Sequence, residues 1–243
     1  MKRKALLICN NDASGSTHDI EKWEKFLTSG TGGAWERTEI EKKVNPSKAD
    51  LRSLLRTISN ANYDFVIVAY AGHGEWKRST ILEINPAGET INESEFNNLA
   101  PREIVCLDCC RGITPIREVA DEAELRMFSA DQRNLLRQAY DNRMMQAQAQ
   151  IVKLYACSVG QCAYGDNNGG YYTNHLLDKA TDLLPNTDFQ TVFRTHNLAA
   201  PLTTNETREK EGALQEPDMA AARLTRDQQL IISVSTKIFR IFG

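Results

Sequence analysis

The sequence has no long hydrophobic run. No apolar stretch approaches the ~18 residues needed to cross a bilayer as a helix. It has no excess of positive charge: 29 Lys and Arg stand against 32 Asp and Glu, a formal net charge of −3. With no basic run either, neither nucleic acid nor a membrane surface is an expected partner. It has no repeat and no low-complexity tract. No signal peptide is expected, because the basic start Met1-Lys2-Arg3-Lys4 leads into an apolar stretch that ends at Cys9 and runs into Asn10-Asn11-Asp12. The expected location is therefore the cytoplasm. There is no EF-hand loop, and Asp166-Asn167-Asn168 is too little to stand for one. Calcium dependence is not indicated, and no cofactor is expected.

What is present suits one α/β domain over residues 1–243. The chain is 41% hydrophobic and 25% charged, ordinary for a globular protein able to bury a core. Short apolar runs read as buried strands at Ala5–Cys9, Phe65–Tyr70, Ile104–Leu107, Ile151–Ala156 and Gln229–Val234. Continuous rather than alternating runs predict a parallel sheet covered on both faces. Helices are predicted over His18–Leu27, with Ser16 and Thr17 as cap, over Ser47–Ile58 and over Thr173–Leu184. Ile81–Ile91 reads as a hairpin, 115–150 as a polar helical insertion and 197–217 as a long surface loop. Alternating strands and helices predict a doubly wound α/β sandwich, with its reactive site beyond the carboxyl ends of the strands.

Two strand ends carry chemistry. Phe65–Tyr70 runs into Ala71-Gly72-His73-Gly74-Glu75, and Ile104–Leu107 into Asp108-Cys109-Cys110-Arg111-Gly112. If these strands are neighbours, His73 and Cys110 meet at one edge. A thiol is mostly protonated at neutral pH, so a cysteine nucleophile needs such an imidazole to take its proton. The same imidazole can later protonate a leaving amine. Backbone N–H groups of Gly74 and Cys110 are the expected oxyanion donors.

Tyr70-Ala71-Gly72-His73-Gly74 resembles the histidine motif of metacaspases, with Ala71 where serine is usual. Asp108-Cys109-Cys110 resembles their Asp-x-Cys motif, and Cys110-Arg111-Gly112 the Cys-Arg-Gly of caspases. Tyr155-Ala156-Cys157, Gly169 to Leu177 and Gln215-Glu216-Pro217 resemble successive parts of the family's small subunit. The resemblance runs in family order along nearly the whole chain. It implies a caspase-like three-layer sandwich with a mostly parallel central sheet and helices on both faces. Within it, 1–112 would be the large-subunit-like part, 113–150 a linker and 151–243 the small-subunit-like part.

The resemblance also implies a Cys–His dyad, with Cys110 rather than Cys109 at the nucleophile position, and a pocket for the residue before the scissile bond (P1). Asp108 stands where caspases that cut after aspartate keep a neutral residue. It would repel an acidic P1 side chain and attract Arg or Lys. Asp12 is the best match for a second acid of this pocket. Ser158 occupies the place where a further acid is common. The substrate is expected to be a protein bound as an extended strand. By family analogy the cut could activate a partner effector in cell death or antiviral defence. A catalytically inactive caspase-like scaffold is the alternative.

The six cysteines are read as free thiols. A zinc site from Cys106, Cys109, Cys157 and Cys162 has the wrong spacing, so no metal is expected. Cys157 reads as core. His18, His175 and His196 receive no role. Arg117, Arg126, Arg133, Arg137 and Arg143 in the linker are candidate self-processing points, with solvated helix as the equal alternative. The oligomeric state is open.

Overall fold

The computed structural model describes residues 1–112, 130–185 and 187–237. Its first half runs β1 (Arg3–Cys9), α1 (Ser16–Thr28), β2 (Ile40–Val44), α2 (Lys48–Asn60) and β3 (Phe65–Ala71). A three-stranded antiparallel sheet follows: β4 (His73–Trp76), β5 (Thr80–Glu83) and β6 (Thr90–Asn92). Then come β7 (Arg102–Asp108), α3 (Ala130–Gln146), β8 (Gln150–Tyr155), a two-residue pair β9 (Gly165–Asp166) and β10 (Gly169–Gly170), and α4 (Tyr171–Thr181). The chain continues through β11 (Phe189–Thr191), α5 (Val192–Glu211), β12 (Asp218–Ala220) and β13 (Ile231–Val234).

The main sheet has the order β12-β8-β7-β3-β1-β2, and all pairs are parallel except β12 with β8. Alternation along the strands builds two cores. Leu7, Ile67, Ile104 and Leu154 face α1, α3, α4 and α5. Leu6, Val68, Val105 and Leu107 face α2 and the small β4–β6 sheet. The central strands β1, β3 and β7 bury both faces because their two neighbouring layers are apolar. From β1 the chain moves one way to β2 and the other way to β3, so the strand order reverses there. Ligand clefts of open α/β sheets form at such a switch point, beyond the strand ends.

Several expectations change. The 197–217 segment is mostly helix, not loop. Thr191 caps α5 by accepting the Arg194 N–H (3.2 Å), and Thr195, Ala199, Thr203 and Thr207 bury one stripe at a spacing of four. Threonine and alanine hide that periodicity from a reading based on strong hydrophobes. Helix α1 is capped by Gly15 with no side-chain bond, since Ser16 Oγ donates instead to the Asn10 carbonyl (2.8 Å). Strand β13 lies outside the main sheet and pairs with β11. In the described part of the linker, α3 buries one stripe of Leu136, Tyr140 and Met144 and leaves its other faces partly or fully exposed. Arg117 and Arg126 lie outside the described residues. Ser47 caps α2 as expected, accepting the Asp50 N–H (3.1 Å). Among the described residues no helix is long and apolar enough to cross a membrane.

Candidate active site

Strands β3 and β7 are direct neighbours, with Ala71 paired to Asp108. His73 and Cys110 each lie two residues beyond that pair, so the parallel register delivers both to one sheet edge. The Gly72 N–H donates to the Asp108 carbonyl (3.1 Å) and closes the two strand ends together. The Tyr70 hydroxyl reaches the carbonyls of His73 (2.8 Å) and Glu83 (2.5 Å), which fixes the start of β4. A Cβ on Gly74 would lie 2.8 Å from both Cys109 Sγ and the Cys110 carbonyl. The histidine strand and the cysteine loop are therefore packed backbone to backbone, which only glycine permits.

Alternation also separates the two adjacent thiols. Cys109 belongs to the core on the α2 side. Cys110 is half-buried and lines two cavities together with His73. The Cys110 thiol lies 3.6 Å from the Ala163 carbonyl. Its pKa is pushed up to about 12, first by burial and then by the thiol of Cys162. The resting sulfur is thus a protonated thiol, and deprotonation requires an acceptor at hand. His73 is one-third exposed, and its Nε2 stands 3.8 Å from an Asp12 carboxylate oxygen.

The narrower cavity, of about 80 Å³, has Asp19, Asp108 and Gly170 in its wall beside His73 and Cys110. Asp108 follows Ile104 and Cys106 on the α1/α4 face and meets the first turn of α4. Its Oδ2 accepts from the Thr173 N–H (3.1 Å) and hydroxyl (2.6 Å). Asp19, in the first turn of α1, accepts the Gly170 N–H (2.9 Å). Both carboxylates are buried, and burial raises the pKa of each. The neighbouring Asp108 charge raises Asp19 further, and the Thr173 bonds hold Asp108 down. The positive end of α4 makes this acidic pair tolerable.

The second cavity, of about 510 Å³, opens along β4 and β5 and is lined by Asp12, Gly74, Glu75, Trp76 and Glu83. Arg111 buttresses the ground between the two sheets. Its guanidinium lies 4.0 Å from the Tyr155 ring centre and 4.9 Å from that of Trp76, and it donates to the Cys157 carbonyl (3.3 Å).

The expected residues are thus distributed unequally. His73, Gly74, Asp108 and Cys110 come together. Asp12 is nearly two-thirds exposed beside His73 and lies outside the wall of the narrow cavity; the acid that faces Asp108 there is Asp19. The turn closed by Ala13 N–H on the Asn10 carbonyl sends Asp12 outward, and α1 then carries Asp19 back in. Ser158 donates to the Glu216 carbonyl (3.0 Å) and lines neither cavity. Gln215 is fully buried. It donates to the Ala156 carbonyl (2.9 Å) and accepts the Tyr164 N–H (2.9 Å), bracing the wall of the narrow cavity. Cys106 and Cys109 lie in opposite cores, so the four thiols weighed for zinc do not converge. A signal for Asp19 exists in retrospect: an acid on the apolar stripe of α1, four residues before the buried Trp23.

No curated protein matches the chain in sequence. The fold is similar to that of caspase-1 from Spodoptera frugiperda, with a TM-score of 0.59 over 90% of this chain and 86% of that one. Sequence identity to it is 10%, so the likeness speaks for the fold alone. The caspase domain family matches residues 2–229, and with the sheet, the paired motifs and this match together, the chain belongs to the caspase domain family of cysteine peptidases.

Proposed function

We propose that the protein is a cysteine endopeptidase that cuts polypeptides after Arg or Lys, with Cys110 as nucleophile and His73 as its base. The observation that carries this reading is the in-register end of β3 and β7. It presents a thiol and an imidazole together at the mouth of a cavity walled by two buried carboxylates. An extended substrate would lay its P1 side chain into that cavity, where Asp19 and Asp108 form charge-assisted bonds with a guanidinium or ammonium. A bound cation would also offset the repulsion within the acidic pair, so the pocket gains most from the ligand it selects. An aspartate P1 side chain would meet only like charge.

The thiol proton passes to His73 as Cys110 attacks the scissile carbonyl. The N–H groups of Gly74 and Cys110 receive the developing oxyanion. His73, now imidazolium with Asp12 nearby, protonates the leaving amine, and water then hydrolyses the thioester by the reverse roles. The larger cavity along β4 flanks His73 and would receive the chain beyond the scissile bond. No calcium or other cofactor enters this scheme. A cytoplasmic setting and a partner effector in cell death or defence complete the proposal.

The test is a pair of fluorogenic peptides that differ only at P1, Arg against Asp, assayed with and without calcium. The Arg peptide is expected to be cut, and Cys110→Ala to abolish the cut. Cleavage of the Asp peptide alone would overturn the assignment of the pocket. Turnover of neither would leave the inactive scaffold as the better reading.

A further inference from the structure

The six cysteines divide by exposure. Cys9, Cys106, Cys109 and Cys157 are buried, whereas Cys110 and Cys162 are half-exposed. The exposed two are neighbours in space. The Arg111 N–H donates to the Gln161 carbonyl and the Gly160 N–H to the Arg111 carbonyl, each at 3.0 Å. Cys110 Sγ itself bonds the carbonyl of Ala163, the residue after Cys162. The Cys162 thiol lies close enough to push the pKa of Cys110 up, after burial. A Cβ on Gly112 would lie 3.4 Å from Cys162 Sγ, which sets the second sulfur against the loop that follows the first. Peptide hydrolysis by Cys110 and His73 has no use for a second thiol beside the nucleophile.

We propose that Cys162 is a resolving thiol, which captures a peroxide-oxidised Cys110 as a reversible disulfide and so switches the site off. The chemistry balances with a peroxide as oxidant. The Cys110 proton moves to His73, and the thiolate attacks one peroxide oxygen. The O–O bond breaks, Cys110 becomes a sulfenic acid, and the departing hydroxide takes up the proton as water. The Cys162 sulfur then attacks the Cys110 sulfur. An S–S bond forms, the S–O bond breaks, and hydroxide leaves as water with the Cys162 proton. Two thiols are oxidised by one electron each, and the peroxide is reduced by two. Without a resolving neighbour, sulfenic acid proceeds to sulfinic acid, which thiol reductants do not reverse. The inference rests on the pair of sulfurs and not on the peptidase reading, so the deciding measurement is a mass and not a rate.

The reduced full-length protein is treated with hydrogen peroxide in small molar excess, alkylated and digested without reductant. The expected product is a crosslinked peptide pair containing Cys110 and Cys162, lost on adding dithiothreitol, with thiol labelling restored at both positions. In Cys162→Ser no crosslink forms, and the same dose leaves Cys110 as sulfinic acid that dithiothreitol does not recover. The idea is overturned if wild-type Cys110 goes to sulfinic acid without a crosslink, or if its partner is Cys157 or Cys109. The wild-type peptide map decides even if the variant fails to fold. Where peptide turnover is present, it should fall with the crosslink and return with reductant.

Discussion

At the scale of single residues, Asp19 and Asp108 hold opposed roles in stability and in the proposed function. Each is buried, burial raises both pKa values, and the Asp108 charge raises Asp19 further. Asp19→Asn keeps an oxygen to accept the Gly170 N–H while removing one charge. It should raise stability by about 1 kcal/mol, roughly 2–4 °C in Tm, by thermal denaturation. The same change should lower kcat/KM for a P1-Arg peptide by about 100-fold, about 3 kcal/mol, by steady-state kinetics. A residue acting only as a helix-end cap would lose stability and leave the preference for Arg over Lys or neutral P1 unchanged. Cys109→Ala is a second residue-scale test. Cys109 packs in the α2-side core, so its loss should cost about 1 kcal/mol or more while turnover persists, in contrast to Cys110→Ala. His73, Cys110 and Asp108 were legible because each follows a continuous apolar run and sits in a recognisable motif. Asp19 was not, since a first-turn acid ordinarily reads as a helix-end charge. Only the packing of α1 against Gly170 and the start of α4 turns it inward.

At the scale of elements, the site depends on how closely β4 lies against the loop after β7. Gly74→Ala would place a methyl group 2.8 Å from Cys109 Sγ and the Cys110 carbonyl. One of the two elements must move, at a cost of about 1–3 kcal/mol. A shift of about 1 Å between His73 and Cys110 should reduce kcat by about 100-fold, with KM for the P1-Arg peptide changed much less, because Gly74 lines the larger cavity and not the narrow one. Gly170→Ala should show the opposite balance. Its Cβ would lie 2.2 Å from Asp108 Oδ2, a carboxylate pinned by Thr173, so the narrow cavity should close and KM for the P1-Arg peptide should rise. The main strands were legible as elements because they are buried on both faces and therefore apolar throughout. Strand β2, Ile-Glu-Lys-Lys-Val at the sheet edge, has no such run and was not singled out. Helix α5 was missed for a related reason: its buried stripe is built from Thr195, Ala199, Thr203 and Thr207, and their polarity is satisfied inside, as when Thr195 Oγ1 donates to the Thr191 carbonyl (3.0 Å).

At the scale of the whole molecule, the acidic pair links folding, ligand and pH. A carboxyl whose folded pKa lies above its unfolded value binds more protons folded than unfolded. Its contribution is complete below the unfolded value and is lost as pH rises through the folded one. Stability of the free protein should therefore fall from about pH 4 upward across this pair's window. Arginine amide should bind more tightly over the same rise, since it competes with protons for the carboxylates. Thermal shifts with and without this ligand across the pH range check both signs. A ligand-induced shift that shrinks with rising pH would contradict the assignment. The α/β class followed from the alternation of strands and helices, and the parallel sheet from the continuous apolar runs. The adjacency of β3 and β7, on which the site turns, stood only as a condition in the sequence, because no short-range signal reports which parallel strands become neighbours.

The stretch after Gly112 joins two parts that already grip each other elsewhere. Strand β8 enters the sheet beside β7 over six paired positions. Buried Arg3 of the first part bonds Asp141 of α3 (2.8 Å) and stacks over the Tyr140 ring. Severing the backbone anywhere between Gly112 and Ala130 should accordingly yield a nicked protein whose fragments co-elute in native chromatography and separate only in denaturant.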